Sequence, residues 1–123
     1  MCKIKVLYRG CRSKAERENI FNNRTARGYT PANPDTTPPT KKEVSDYIAY
    51  GEGVPNPNMP EPNDRIPTLV EYTTNFAKAI GFGKRRGGVI QIEINDCYCA
   101  PGSVIEDGVM IRRDAPVENV VKL

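Results

Sequence analysis

Arg9 closes a run of alternating apolar residues, Met1-Cys2-Lys3-Ile4-Lys5-Val6-Leu7-Tyr8, and Gly10 follows it at once. An arginine at the end of a core strand is rarely buried without a partner, and its fork of N–H donors suits phosphate or carboxylate. Gly10 lets a planar group approach the backbone closely. Hydroxyls gather at Thr73-Thr74, directly after Glu71-Tyr72, and carboxylates stand at Glu93 and at Glu106-Asp107. A carboxylate can move a proton or stabilise a growing positive charge. The chain has no histidine, which excludes Ser-His-Asp and Cys-His catalysis and any histidine-ligated metal. Acid–base chemistry must then rest on carboxylates, Tyr, Lys or Cys.

Cys97-Tyr98-Cys99 is a CxC pair, and Cys2 and Cys11 lie far away with unmatched spacing. That pattern argues against a zinc site, and no metal is expected. Free thiols are expected if the chain works in a cytosol, and bridges remain open for a secreted one. The net charge of +3 is too small to argue for nucleic acid by itself. The turn Lys84-Arg85-Arg86 reads as solvated. No apolar run approaches the ~20 residues that a membrane helix needs, and the N-terminus does not read as a signal peptide.

These residues need elements to hold them, and 123 residues support one domain, 1–123. The first strand is read with Ile4, Val6 and Tyr8 on one face and Lys3 and Lys5 on the other. Ser13, with Glu16 three residues on, is a capping box that opens a helix through Phe21. Nine of the eleven prolines fall within 31–67, a stretch too long for an ordinary connection and read as a loop that covers a site. One helical island interrupts it, from Lys41 to Tyr50, with Val44, Tyr47 and Ile48 at helical spacing. A short extended segment then runs to Tyr72. Thr73 or Thr74 caps a helix that Gly81 closes. Val89-Ile90-Gln91-Ile92-Glu93-Ile94 is the clearest strand, and its alternation turns Glu93 toward solvent. After a loop over 95–103, residues 104–111 read as a last strand region, in which Glu106 and Asp107 face opposite ways. A tail strand is expected within 117–123.

Arg9-Gly10, then Tyr72-Thr73-Thr74 before a helix with Ala77, then Glu106 after a strand and a loop, form an ordered set. The set resembles the ADP-ribosyltransferases of the arginine-serine-glutamate type, over roughly residues 3–117. The resemblance implies an α+β fold, compact and ADP-ribosyltransferase-like, with a mostly antiparallel split sheet and few short helices. It implies NAD as substrate, Glu106 and Arg9 as catalytic residues, and Arg9, Gly10, Tyr72, Thr73 and Thr74 around the NAD. Arg9 would hold its phosphates or ribose, and the Gly10 backbone the carboxamide of nicotinamide. Thr73 and Thr74 would orient Arg9 or Glu106, and Glu106 would hydrogen-bond the ribose 2′-hydroxyl and stabilise an oxocarbenium-like centre. Two positions depart from the family. Tyr72 stands where a serine is expected, and Val104 where many members carry Gln or Glu to engage the acceptor.

A small module of this kind is similar to the C-terminal toxin domains of bacterial polymorphic toxins, including the Rhs type. The expectation is a toxin delivered as part of a larger protein and acting in the target-cell cytoplasm. Its acceptor would be an essential protein, such as a translation GTPase (elongation factor Tu). A cognate immunity protein would cover the NAD cleft or the loop over 96–103, and neither membrane nor nucleic acid is an expected partner. The alternatives are an NAD glycohydrolase that depletes NAD, a nucleic-acid modifier, and a non-enzymatic basic binding module.

Overall fold

The computed structural model describes residues 2–28, 34–50 and 68–123. They form an α+β structure built on one six-stranded antiparallel sheet. The strands are β1 (Ile4–Gly10), β2 (Leu69–Thr73), β3 (Val89–Asn95), β4 (Cys99–Pro101), β5 (Gly108–Arg112) and β6 (Asn119–Lys122). The helices are α1 (Lys14–Asn23), α2 (Lys41–Tyr50) and α3 (Phe76–Gly83). Across the sheet the order is β4-β5-β2-β1-β3-β6. Among the described residues no helix is long and apolar enough to cross a membrane.

Strand alternation sorts the side chains into two faces. Leu7, Val70, Tyr72, Ile90, Ile92, Ile94, Val109 and Ile111 form the main core, which Ile20 of α1 joins. Ile90, Ile92 and Ile94 are fully buried, and each contributes ~1.5–3 kcal/mol of apolar burial. A smaller cluster on the other face joins Val44 of α2 to Leu69 and Met110. There α3 lies over the end of β1: a Cβ on Gly10 would stand 2.5 Å from the Ala79 carbonyl oxygen and 2.6 Å from Gly83 N. Gly10 is therefore required by the helix packed on it.

On β1 the face of Ile4, Val6 and Tyr8 is the more exposed one. Ile4 and Val6 are 54% and 41% exposed, while Leu7 is fully buried and Arg9 is 7% exposed. Leu7 and Tyr8 are both apolar, so alternation alone leaves two solutions; pairing Leu7 with Ile92 and Arg9 with Ile90 selects one. β1 pairs fully with β3, but its register with β2 is the single pair Tyr8–Thr73. The sheet is continuous, and this is its thinnest junction.

Other boundaries differ from expectation for local reasons. Asn75, and neither Thr73 nor Thr74, caps α3, accepting from Lys78 N at 3.4 Å. Thr73 is engaged elsewhere, as described below. α3 runs past Gly81 to Gly83, where the backbone meets Gly88 and Gly10. The loop after β3 contains a short 3-10 turn, Asp96–Tyr98, and the edge strand β4. Residues 104–107 are a turn, because Asp107 takes a left-handed φ of 50° and its N–H returns to the Val104 carbonyl. β5 starts only at Gly108. Ser13 caps α1 as expected, accepting from Glu16 N at 3.0 Å, but the Glu16 carboxylate turns to Arg9. Cys2 and Cys97 are joined as a disulfide, with Cα atoms 5.6 Å apart, whereas Cys11 and Cys99 are free. Of the proline-rich stretch, residues 31–33 and 51–67 lie outside the described residues, and so does most of the expected covering loop.

Candidate functional site

A cleft of about 340 Å³ opens where β1 and β2 part, between α2 and α3. Its lining includes Arg9, Gly10, Tyr72, Thr73 and Glu106. Five of the six residues that sequence reasoning named as a site thus share one wall, although they span positions 9 to 106. Thr74 is exposed and not in the lining; its N–H donates to the Asp107 carbonyl at 3.1 Å.

Arg9 sits on the floor. Its Nε donates to Glu16 Oε1 at 2.7 Å, and its Nη1 donates to the Glu71 carbonyl at 2.9 Å. The two side chains of this ion pair are 8% and 11% exposed. The arginine therefore bridges β1 to β2 at the junction where their own pairing is sparse.

Glu106 is held by its backbone. The Thr73 hydroxyl donates to the Glu106 carbonyl at 2.7 Å and accepts from Asn75 N at 3.0 Å. Lys78 of α3 donates to the Ile105 carbonyl and pairs with Asp107 at 3.6 Å. Asn75 Nδ2 also donates to Asp107 Oδ2, at 3.3 Å. The two neighbouring carboxylates are separated in this way: Asp107 faces the start of α3, while Glu106 lines the cleft. Glu93 lies on β3 beside Val6 and Asn119 and is not in the lining. Val104 and Ile105, at 90% and 80% exposure, project from the same turn into solvent.

Tyr72 is a core residue with one edge on the cleft. Its hydroxyl donates to the Ala26 carbonyl at 2.7 Å, and burial pushes its pKa up. That phenol is no general base near neutral pH. Burial, with the nearby Glu16 charge, pushes the Cys11 thiol up to about 12, and burial raises Cys99 to about 11. Neither is an activated nucleophile. Among the described lining residues the carboxylates are those of Glu106 and Glu71, with cations around them.

Sequence reading missed several wall residues. Glu71 Oε2 accepts from Ser103 N at 2.8 Å and so fixes the start of the loop that carries Glu106. Tyr8, Tyr47 and Phe82 supply aromatic surface, and Arg12, Lys78 and Arg86 supply positive charge. Tyr47 comes from the helix inside the proline-rich stretch, so part of that stretch does border the site. Arg86, read as a solvated turn residue, is exposed but borders the cleft. A signal for Tyr47 existed in its helical spacing; none existed for Glu71. Away from the cleft, Cys2, Asp96 and Cys97 bring metal-ligating atom types within 4.8 Å of one another, yet two of them form the disulfide. No protein-family model matches the chain, and no curated protein matches it.

Proposed function

We propose that this chain is a mono-ADP-ribosyltransferase that uses NAD, with an ADP-ribosyltransferase-like fold around the cleft. The carrying observation is that Arg9, Gly10, Thr73 and Glu106, named from their order in the sequence, converge on one cleft in which Thr73 fastens the Glu106 turn. The nicotinamide–ribose bond breaks with its electron pair leaving on nicotinamide, which becomes neutral. The ribose carbon left behind carries positive charge, and the Glu106 carboxylate, accepting from the 2′-hydroxyl, stabilises it. An acceptor nucleophile then forms the new bond to that carbon and gives its proton to solvent. Arg9 and Thr73 keep the two halves of the site in register, and the Gly10 edge of β1 receives the carboxamide. The exposed Val104 and Ile105 offer apolar contact to the acceptor.

On this reading the chain is the toxic module of a larger delivered protein and acts in the cytoplasm of the target cell. Its acceptor is an essential protein such as a translation GTPase, and an immunity protein blocks the cleft. Val104 offers no amide or carboxylate to an acceptor, which favours hydrolysis of NAD as the second reading.

The test is incubation of the full chain with labelled NAD, with and without bacterial lysate, followed by mass spectrometry of the products. Glu106→Gln is expected to lower turnover by about 100-fold or more, as when a group that stabilises transition-state charge is removed. Label on protein supports transfer, and nicotinamide release without lysate supports hydrolysis. Undiminished turnover in Glu106→Gln would move the role to Glu71 or Asp107.

A further inference from the structure

Resting on the reading of Glu106 as the group that stabilises the ribose, we propose that Glu71 is a positioning residue. Its carboxylate, with the Thr73 hydroxyl, sets the turn that carries Glu106, and it does not act on the substrate itself.

Glu71 and Thr73 stand two residues apart on β2, about 7 Å along the strand, so alternation puts both side chains on one face. That face is the one of Leu69 and Met110, opposite to Val70 and Tyr72 of the main core. Both side chains reach the same turn. The Thr73 hydroxyl donates to the Glu106 carbonyl at 2.7 Å, and Glu71 Oε2 accepts from Ser103 N at 2.8 Å. One contact hooks the tip of the turn and the other its entrance. Although Glu71 borders the cleft, Oε2 is taken up by this entrance.

The neck of the turn is shaped for the carboxylate. Gly102 N donates to the Gly108 carbonyl at 2.9 Å, and Gly108 N donates to the Ser103 carbonyl at 2.8 Å. Residues 103–107 therefore leave and rejoin the sheet at one point. A Cβ on Gly102 would stand 2.6 Å from Glu71 Oε2, and a Cβ on Gly108 would be closer still. Neither glycine has a positive φ. What they supply is room for the carboxylate and for the two sides of the neck to approach.

The main chain of Glu71 is anchored as well. Its carbonyl accepts from Arg9 Nη1 at 2.9 Å, and Arg9 is held in turn by Glu16 at 2.7 Å. The buried ion pair thus steadies the strand from which the turn is gripped. On the far side, Lys78 holds the Ile105 carbonyl and Asp107. With the carboxylate removed, the tip stays hooked while Ser103 N loses its acceptor. The turn then pivots on its tip, and a displacement of about 1 Å at a reacting group can cost about 100-fold in rate.

The test compares wild type, Glu71→Gln and Glu71→Ala in the full chain by two readouts: amide hydrogen exchange without NAD, and steady-state NAD turnover. Glu71→Ala should speed exchange at Ser103 and Gly108 about tenfold or more while β1 and β3 stay protected. It should lower kcat about 10–100-fold with KM within about twofold. Glu71→Gln should stay within a few-fold of wild type in both, because its amide oxygen still accepts from Ser103 N. Gly102→Ala leaves Glu71 in place but crowds its oxygen, and should act in the direction of Glu71→Ala; it decides the matter if Glu71→Ala does not fold. Unchanged exchange or unchanged kcat in these two variants overturns the proposal. So does a kcat in Glu71→Gln as low as in Glu71→Ala, which would make the charge itself reactive. Exchange that follows the acceptor in a chain whose wild type turns over no NAD supports the hold on the turn and refutes the reading of Glu106 alone.

Discussion

Glu16 stands at the third position of α1, where the capping-box pattern would direct it to the Ser13 backbone; the fold directs it to Arg9. A charge-assisted pair this well buried is costly to break from one side, because the partner is left charged and unsolvated. Glu16→Gln should therefore destabilise the chain by about 2–3 kcal/mol, less than full removal, since the amide oxygen still accepts from Arg9. The more informative variant replaces both, Arg9→Met with Glu16→Leu. Apolar substitution of a buried pair is often neutral for stability, so thermal unfolding should recover, while on the proposed reading NAD turnover stays low. Recovery of both would show that Arg9 does nothing for the reaction. At this scale the sequence exposed the types, Arg9, Thr73 and Glu106, but not their partners. The Thr73 hydroxyl was legible as a helix cap, and it instead ties a turn that lies 33 residues ahead in the chain.

Among the elements, α2 shows how a helix inside a proline-rich stretch is anchored. Thr40 and Glu43 form a complete capping box: Glu43 N donates to Thr40 Oγ1 at 3.1 Å, and Thr40 N donates to Glu43 Oε1 at 3.0 Å. The same carboxylate receives a bidentate clamp from Arg112 of β5, at 2.6 and 2.9 Å. Arg112 Nε also donates to Thr37, so one guanidinium fastens both the helix and the segment before it. The hydrogen bonds from Arg112 hold the Glu43 carboxyl down at about 2, from an ordinary value of 4.5. A carboxyl with a depressed folded pKa contributes stability that is complete above pH 4.5 and lost as pH falls toward 2. Discounted for its partial exposure, the contribution is about 1–2 kcal/mol. Urea unfolding at pH 7 and pH 3 should thus show a smaller loss on acidification for Glu43→Gln than for wild type; equal losses would remove the clamp from the account. Tyr47, one turn further along α2, enters the cleft wall through this anchorage. The helix was legible to the residue from its periodicity, whereas its docking through Arg112, 69 positions away, was not.

For the molecule as a whole, the disulfide between Cys2 and Cys97 closes a loop of 95 residues. It ties the start of β1 to the turn after β3, beside a hydrogen bond from Lys3 N to Asp96 Oδ1 at 3.0 Å. A cross-link over so long a loop typically adds about 2–4 kcal/mol, largely by restricting the unfolded chain. Reduction, or Cys2→Ser, should lower the urea midpoint accordingly and leave ligand binding at the cleft unchanged, since neither cysteine borders it. An unshifted midpoint would mean that the bridge does not form in solution. Cys11 and Cys99, both with thiol pKa values raised by burial, should resist alkylation in the folded chain at about pH 8.

By itself the sequence determined what neighbours in the chain decide. Periodicity placed α1, α2, the strand cores of β1 and β3, the basic turn and the tail strand, because hydrophobic spacing and capping act over a few residues. It also bounded the chemistry available, since a chain without histidine leaves carboxylates, Tyr, Lys or Cys for acid–base work; burial in the fold then set Tyr72, Cys11 and Cys99 aside. Only the tertiary structure decided which face of β1 is buried, that 104–107 turn rather than extend, and that Cys2 meets Cys97. Only it decided that Glu106 faces the cleft while Asp107 is drawn to Lys78 and Asn75. Each of these depends on a partner distant in sequence, and local propensity is blind to a contact that exists only once the sheet has closed.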